Sequence, residues 1–492
     1  MSRIIIQNGN MCELDLPLKF AQKLYAEFAI RHPNAFYLRT RQRGMQNWDG
    51  KIHYINKHGE FKIGLLPAVY EKCIEYGIKP KVVDMRQPLP KVNKVVTKIG
   101  EYKLRPEQEK AVKAVINNKV GKVPFQIGVL DYTVNAGKTL IMSSLYLSYK
   151  KQLKTLLITN DSDWLNQARD EFKKYLPGEQ ITFVQGKVLN WSNFTIGMVQ
   201  SISRNMRFYQ NELAKIDMVL VDEADQAGSK QYQNVLTRLF NTRVRIGLSG
   251  TIYMSKLAKD KVKNMNLEVF FGKVLAEFKL KDSIKKGYST RTIVKIVPSK
   301  PWYGNWESEE VSYKEVYDDS ITFNKYARRM VYSRLKWNLK QGRYPALVVC
   351  KFIAHCENLC KYFKKKLGSK YNIACVHVDT PSKIRQQIMK DFREGKIDIL
   401  VSTTIIARGK NFPKLRYLLN AASMDSQEKS IQFLGRLVRT DSSKKKVYLD
   451  DLHYPGPYLN RHGKHRKQYY QKQELKVILL EKIWKKHPIH SL

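Results

Sequence analysis

The chain has 492 residues, with 88 Lys+Arg against 44 Asp+Glu and a formal charge of +44; that length suits about three domains. A field of this size draws polyanions and runs along the whole chain, so it is not a disordered basic arm. There is no apolar run of transmembrane length, no secretory pattern, and no Cys-x-x-Cys pair among Cys12, Cys73, Cys350, Cys356, Cys360 and Cys375, which disfavours a membrane partner, secretion or a metal cluster and leaves reduced thiols in cytoplasm.

In chain order, residues 4–6 read as a strand and 16–30 as an amphipathic helix. Phe36 to Tyr54 follows. Arg39, Arg41 and Arg43 alternate there, so an extended strand would project them from one face. Asp49-Gly50 signals a hairpin. Tyr37, Trp48 and Tyr54 interleave with these arginines and Lys51, a mixture that suits a nucleic-acid backbone with bases stacked beside it. The plainer alternative has the aromatics in a core and the arginines solvated.

From about residue 125 to 251, strands and helices alternate. Strands are expected at 155–160, 181–185, 194–200, 218–222 and 244–249, with helices at 138–150 and 162–175. The run Phe125 to Thr139, followed by an apolar helix, reads as strand, tight loop, helix, which is what a phosphate cradle needs. Gly137 permits the turn, Lys138 reaches the β/γ-phosphates, and Thr139 offers a hydroxyl to Mg²⁺. Tyr132 stands where a small residue is usual, and Asn135 where a second glycine is usual. Asn tolerates left-handed backbone, so the turn survives. Val219 to Asp225 supplies the complement: a buried strand, Asp222 for Mg²⁺, and Glu223 to polarise the attacking water. Together these predict ATP binding and hydrolysis.

Residues 253–320 are the least regular and are expected to link two α/β units. The alternation then returns: strand 346–352, helix 353–366, strand 373–378, helix 381–394, strand 398–403, helix 427–439. In the last helix Arg436 and Arg439 are three apart and share a face with Gln432, suited to clamping a γ-phosphate. The predicted catalytic residues fall at strand ends of two parallel sheets. ATP is therefore expected between two lobes whose cleft opens and closes with hydrolysis.

The order of these motifs resembles that of the superfamily 2 helicases and translocases. Leu104-Arg-Pro-Glu-Gln108 resembles their adenine-reading motif, which implies nucleotide contacts from Arg105 and Gln108 alongside Asn135 and Gly137. Thr159 to Gln167 and Thr195 to Ser201 resemble the motifs that grip the nucleic-acid backbone, implying roles for Asn160, Gln200 and Ser201. Gly247-Leu-Ser-Gly-Thr251 resembles the coupling motif, through Ser249 and Thr251. Leu347 to Phe352 and Val401 to Gly409 resemble second-lobe motifs and imply DNA contacts from Lys351, Thr403 and Thr404 and a nucleotide contact from Gly409. Asn411 replaces a usual Asp.

With the basic Asn47-Trp-Asp-Gly50 module in front, the chain resembles the UvsW-type phage recombination helicases. That implies a basic α+β domain at 1–90, then two tandem RecA-like lobes at 91–285 and 286–492, the second with a basic tail. It also implies branch migration, fork regression, unwinding and annealing of DNA, acting on forks, junctions and single-strand/duplex boundaries in the host cytoplasm. Single-strand-binding or recombination proteins are the partners such a role brings. A DEAD-box RNA helicase is the rival, since residues 222–225 spell that name, but Ser249-Gly-Thr251 and the Gln432-type arginine motif look like DNA remodellers. A non-catalytic DNA-binding protein with a degenerate ATP site is the other alternative. The tail around Tyr458, Arg461, His462, Lys464, His465 and Arg466 reads equally as a DNA contact or as a helix packed on the second lobe.

Overall fold

The computed structural model describes residues 2–41, 45–160, 162–250, 252, 261–299, 311–407, 412–425, 430, 433–435, 437–438, 444 and 446–480. The chain divides into two compact units, residues 1–278 and 279–492.

The first unit opens on a four-stranded sheet in the order Glu60–Lys62, Met11–Asp15, Arg3–Ile6, Lys81–Asp84. Alternation puts Ile4, Ile6, Cys12, Leu14 and Phe61 inward. Leu24 and Phe28, in and just after helix Leu18–Glu27, and Leu66, Val69 and Cys73 of helix Leu66–Glu75 join them in one core.

The expected arginine row is not a strand. Ala35–Arg41 is a helix, so Arg39 and Arg41 lie about 200° apart around its axis instead of on one face. Ala35, Leu38 and the arginines are good helix formers, and the lone β-branched Thr40 bonds its hydroxyl back to the Phe36 carbonyl at 3.0 Å. Asp49-Gly50 is not a two-residue hairpin either. Strand Lys51–His53 pairs with Ala29–Arg31, from before the helix. Asp49 Oδ1 accepts from the Lys51 amide at 2.9 Å, and Gly50 turns the chain at φ 77°. Trp48 is half-buried, its indole N–H donating to the Lys51 carbonyl at 2.9 Å. Tyr54 belongs to the packing: its hydroxyl donates to Asn266 Oδ1 at 3.1 Å, and burial pushes its pKa up to about 12.

This N-terminal sheet is clamped to the rest of the first unit. Arg245, wholly buried, donates through Nη2 to the Gly9 carbonyl at 2.8 Å and to Asn10 Oδ1 at 2.7 Å. A side chain at Gly9 would come within 2.6 Å of the Leu239 and Thr242 carbonyls. Burial lowers the Arg245 pKa to about 9, as expected of a cation far from water.

The main sheet of the first unit has seven parallel strands, in the order Ile181–Val184, Phe194–Met198, Thr155–Thr159, Met218–Asp222, Val244–Ser249, Ile127–Tyr132, Val274–Phe278. Most are buried along their whole length, which is why they read as unbroken apolar runs. The second unit repeats the design with seven parallel strands: Ile373–Val376, Ile399–Thr403, Ala346–Cys350, Tyr417–Asn420, Lys446–His453, Arg291–Pro298, Lys476–Leu479. The stretch expected to be an irregular link instead supplies ordered elements to both units. Helix Lys261–Phe271 and strand Val274–Phe278 belong to the first, and helix Leu280–Lys285 and strand Arg291–Pro298 to the second.

One strand organises the second unit. Successive residues of Lys446–His453 point to opposite faces, so the adjacent, fully buried Asp450 and Asp451 face different helices. Asp450 accepts from Arg334 Nε at 2.8 Å, on helix Lys325–Lys340. Asp451 receives Arg466 Nη2 at 2.7 Å and the Tyr470 hydroxyl at 2.7 Å, both on helix Leu459–Lys472. The tail helix therefore packs on the lobe through Arg466 and His462, while Arg461 and Lys464 stay exposed. All six cysteines are free thiols, and five are buried. Among the described residues no helix is long and apolar enough to cross a membrane.

Candidate functional site: a phosphate cradle and its carboxylates

Strand Ile127–Tyr132 ends in a loop whose geometry depends on two left-handed residues, Asn135 at φ 64° and Gly137 at φ 72°, before helix Lys138–Ser148 begins. Asn is among the residues that adopt this conformation most readily, so the missing second glycine is accommodated. At Gly137 a side chain would be strained by the positive φ, and its Cβ would lie 2.3 Å from Gln108 Nε2, displacing that amide. Tyr132 is still in the strand, buried, with its hydroxyl donating to the Glu107 carbonyl at 2.6 Å. It ties helix Pro106–Ile116 to the sheet, and burial pushes its pKa up.

That helix brings Arg105 and Gln108 to the loop. Arg105 Nη2 donates to the Asn135 carbonyl at 3.1 Å, and Gln108 Nε2 to the Ala136 carbonyl at 2.8 Å. Gln108 Oε1 also accepts the Arg105 amide at 2.8 Å, capping its own helix. With these carbonyls held, the following amides at the helix N-terminus are left to an anion.

Lys138 Nζ stands 3.6 Å from Asp222 Oδ1. Asp222 is buried at the end of its strand, and Oδ1 has no hydrogen bond among the described residues. A buried carboxylate oxygen with a lysine opposite fits a divalent cation shared with phosphate oxygens. Mg²⁺ takes one or two carboxylates and completes its shell with water and substrate phosphates, and the buried Asp222 beside the cradle offers one such carboxylate. Thr139 is half-buried in the same first turn.

Glu223 follows at φ 53° and opens the short turn Ala224–Gln226. A non-glycine residue held in this region is a local strain of the kind found at working sites. Asp225 is buried and accepts the Ser249 hydroxyl at 2.7 Å, joining the carboxylate turn to the next strand. At Gly250 a Cβ would sit 2.9 Å from Thr133 Cα, so this strand end also touches the cradle loop. Ser249→Ala removes a hydrogen bond that depends on both elements. It is expected to lower strand separation ~10-fold while ATP turnover holds within ~3-fold, measured on a labelled duplex and by phosphate release.

Of the predicted nucleic-acid contacts, Gln200 Nε2 donates to the Asn160 carbonyl at 3.2 Å, and Ser201 Oγ accepts the Gly186 amide at 3.1 Å. In the second unit the Lys351 ammonium lies 3.7 Å over the Tyr313 ring. Thr403 ends strand Ile399–Thr403, and Thr404 opens the turn Thr404–Ala407. Arg39 and Lys51 line one cleft of about 480 Å³ with Arg31, Phe36 and Asp49. Arg41 lies 4.9 Å over the exposed Tyr37 ring. Arg43, Thr251, Gly409, Asn411, Gln432, Arg436 and Arg439 lie outside the described residues. Sequence reasoning missed the Arg245 clamp and Gln226. An arginine in an otherwise apolar strand was the available signal for the first; position next to the carboxylate turn was the signal for the second.

Two family models match this chain: "Type III restriction enzyme, res subunit" over residues 101–254 and "Helicase conserved C-terminal domain" over 328–441. Among curated proteins, the chain is 24% identical over 377 residues to the "Putative ATP-dependent helicase IRC3" of Saccharomyces cerevisiae, covering 71% of this chain and 51% of that protein, so it spans about half the relative's length. It is 22% identical over 431 residues to the ATP-dependent DNA helicase uvsW of Enterobacteria phage T4, covering 82% of each. Among solved structures, S. cerevisiae Dbp5 bound to RNA and ADP BeF3 superposes with a TM-score of 0.53 at 15% identity, covering 78% of this chain and 92% of that one; at that identity the likeness is one of fold. With a nucleotide-type cradle on the first seven-stranded parallel sheet, the design repeated in the second, and a family model matching in each unit, the chain belongs to the superfamily 2 helicases, as an ATP-driven enzyme.

Proposed function

We propose that this helicase works on branched DNA, using ATP to migrate junctions and regress or unwind forks in recombination, replication and repair. The observation that carries the reading is a basic N-terminal sheet module built into the motor's first unit. Its cleft presents Arg31, Arg39 and Lys51 beside the exposed Phe36, cations for phosphates next to a ring for a base. The Arg245 clamp joins that module to the sheet that carries the carboxylates, so DNA held by one is held against the other. The charge of +44 supports a phosphate backbone as the partner. The likeness to uvsW, named as a DNA helicase, points the same way.

In this reading Lys138 and the loop amides hold the β/γ-phosphates, Arg105 and Gln108 set the loop, and Glu223 takes the proton of the attacking water. Thr139 and Asp222 would hold Mg²⁺, which supplies charge for the leaving phosphate. Arg436, Arg439 and Gln432 are assigned to the γ-phosphate and Gly409 to the nucleotide, with Lys351, Thr403 and Thr404 on the DNA strand.

An RNA substrate is the competing reading, favoured by the Asp222-Glu-Ala-Asp225 tetrapeptide. ATP hydrolysis measured on matched forks, four-way junctions, linear duplex and RNA, at stated salt, decides between them. Strongest stimulation by forks and junctions is expected; strongest stimulation by RNA would sink the proposal. Arg39→Ala with Lys51→Ala should weaken junction binding and lower the slope of log affinity against log salt by about 1 per lost phosphate contact, leaving ATP turnover without DNA unchanged. An unchanged slope would place the DNA elsewhere.

A further inference from the structure

Three neighbouring parallel strands, Phe194–Met198, Thr155–Thr159 and Met218–Asp222, end side by side. Their next residues meet at the carboxyl edge of the sheet, where such sheets place their working groups. Gln200 comes from the first, Asn160 from the second, and Glu223 with Gln226 from the third. Gln200 Nε2 donates to the Asn160 carbonyl at 3.2 Å, Asn160 Nδ2 donates to Gln226 Oε1, and Gln226 Nε2 reaches Glu223 Oε2 at 3.5 Å. The backbone repeats the last link, the Gln226 amide donating to the Glu223 carbonyl at 3.1 Å. Among the described residues, Gln226 bonds both to a proposed nucleic-acid contact and to the proposed hydrolytic base.

The relay is incompletely satisfied. Among the described residues, the buried Asn160 Oδ1 and Gln200 Oε1 have no hydrogen-bond partner. Two unpaired carboxamide oxygens at a buried position are costly, and the cost falls if the amides turn. Their N–H groups are the donors that a backbone phosphate would recruit. A phosphate accepting from Asn160 therefore competes with Gln226 for the same nitrogen, and any turn of Asn160 moves the group that holds Glu223.

We propose that Gln226 is a positioning residue that couples nucleic-acid binding to hydrolysis. With no strand bound, it holds the Glu223 carboxylate in the relay; when a phosphate draws Asn160 away, Glu223 is released to orient water. The relay is a two-arrangement element biased by a ligand, which is what a coupling free energy requires. The inference rests on the assignment of Asn160 and Gln200 to the nucleic acid.

The test is Gln226→Met, which keeps the shape of the side chain and removes both hydrogen bonds. Steady-state ATP hydrolysis is measured with and without a saturating DNA fork, alongside fork affinity by fluorescence anisotropy and the melting temperature. The ratio of stimulated to unstimulated turnover is expected to fall ~5-fold or more, with melting temperature and affinity retained. In the double variant with Asn160→Ala, the ratio should fall no further than in Gln226→Met alone, because both changes cut the same relay. A stimulation ratio in Gln226→Met equal to that of a stimulated wild type overturns the inference alone. A wild type that no nucleic acid stimulates overturns the proposed function and this inference with it. A purely structural role predicts a lowered melting temperature with an unchanged ratio.

Discussion

Lys138→Ala is expected to lower ATP turnover by about 10²–10³-fold, the usual cost of removing one preorganised group from a charge-developing centre. Lys138 is the cation nearest to the buried Asp222, at 3.6 Å among the described residues. Its loss leaves a carboxylate buried with no opposite charge beside it and deprives the γ-phosphate of a donor. The cradle loop itself should persist, because its carbonyls are held by Arg105 and Gln108 and its turn by Gly137. Nucleic-acid affinity is therefore expected to stay near wild type, since the proposed DNA contacts lie on other strand ends. Phosphate release and fork anisotropy on the same preparation check both halves. Retained turnover with lost DNA binding would move the nucleotide site elsewhere.

Arg466→Ala should be the most destabilising single change in the second unit, by ~3–5 kcal/mol, because it strands a buried aspartate. Asp451 is wholly buried, and Arg466 reaches it through Nε at 2.9 Å and Nη2 at 2.7 Å while Nη1 donates to the Met424 carbonyl at 2.8 Å. Burial works against the charge on Asp451, but the Arg466 guanidinium outweighs it and holds the carboxyl below its ordinary value of 3.8. The folded value is thus the lower one. The stabilisation is full above pH about 3.8 and disappears as pH falls through the folded value. Denaturant melts of wild type and Arg466→Ala at pH 7 measure the difference, and it should narrow only in strong acid. Equal midpoints at pH 7 would show that the pair contributes nothing.

Much of the motor could be read directly. Parallel strands buried on both faces announce themselves as short apolar runs, and a phosphate cradle needs its glycine and lysine at fixed spacing. The candidate carboxylates Asp222 and Glu223 were legible because they follow such a strand. The N-terminal module was harder. Arg39 and Arg41 read as strand by alternation, yet the same residues are good helix formers, and with few β-branched neighbours the local preference for helix prevailed. Arg245, a cation within a buried strand, was invisible because its partners, Gly9 and Asn10, are distant in sequence. Gln226 was missed for a related reason: its neighbours are brought together by strand order, which no single stretch contains. The tail reads equally as DNA contact or packing from sequence, and it is the buried Asp451 that shows the helix packed on the lobe, with Arg461 and Lys464 still exposed.

The placement of Asp450 and Asp451 has a consequence for how the protein is made. Synthesis runs from the N-terminal side, and the strand that carries both aspartates pairs with Arg291–Pro298, laid down long before it. The counter-charge for Asp450, on helix Lys325–Lys340, has by then already emerged, but that for Asp451 has not. Strand Lys476–Leu479, which borders Arg291–Pro298 on its other side, comes later still. The first unit can therefore close on the ribosome while the second waits for its last described residues. A nascent chain cut short before Arg466 would carry a finished nucleotide cradle and an unfinished second lobe.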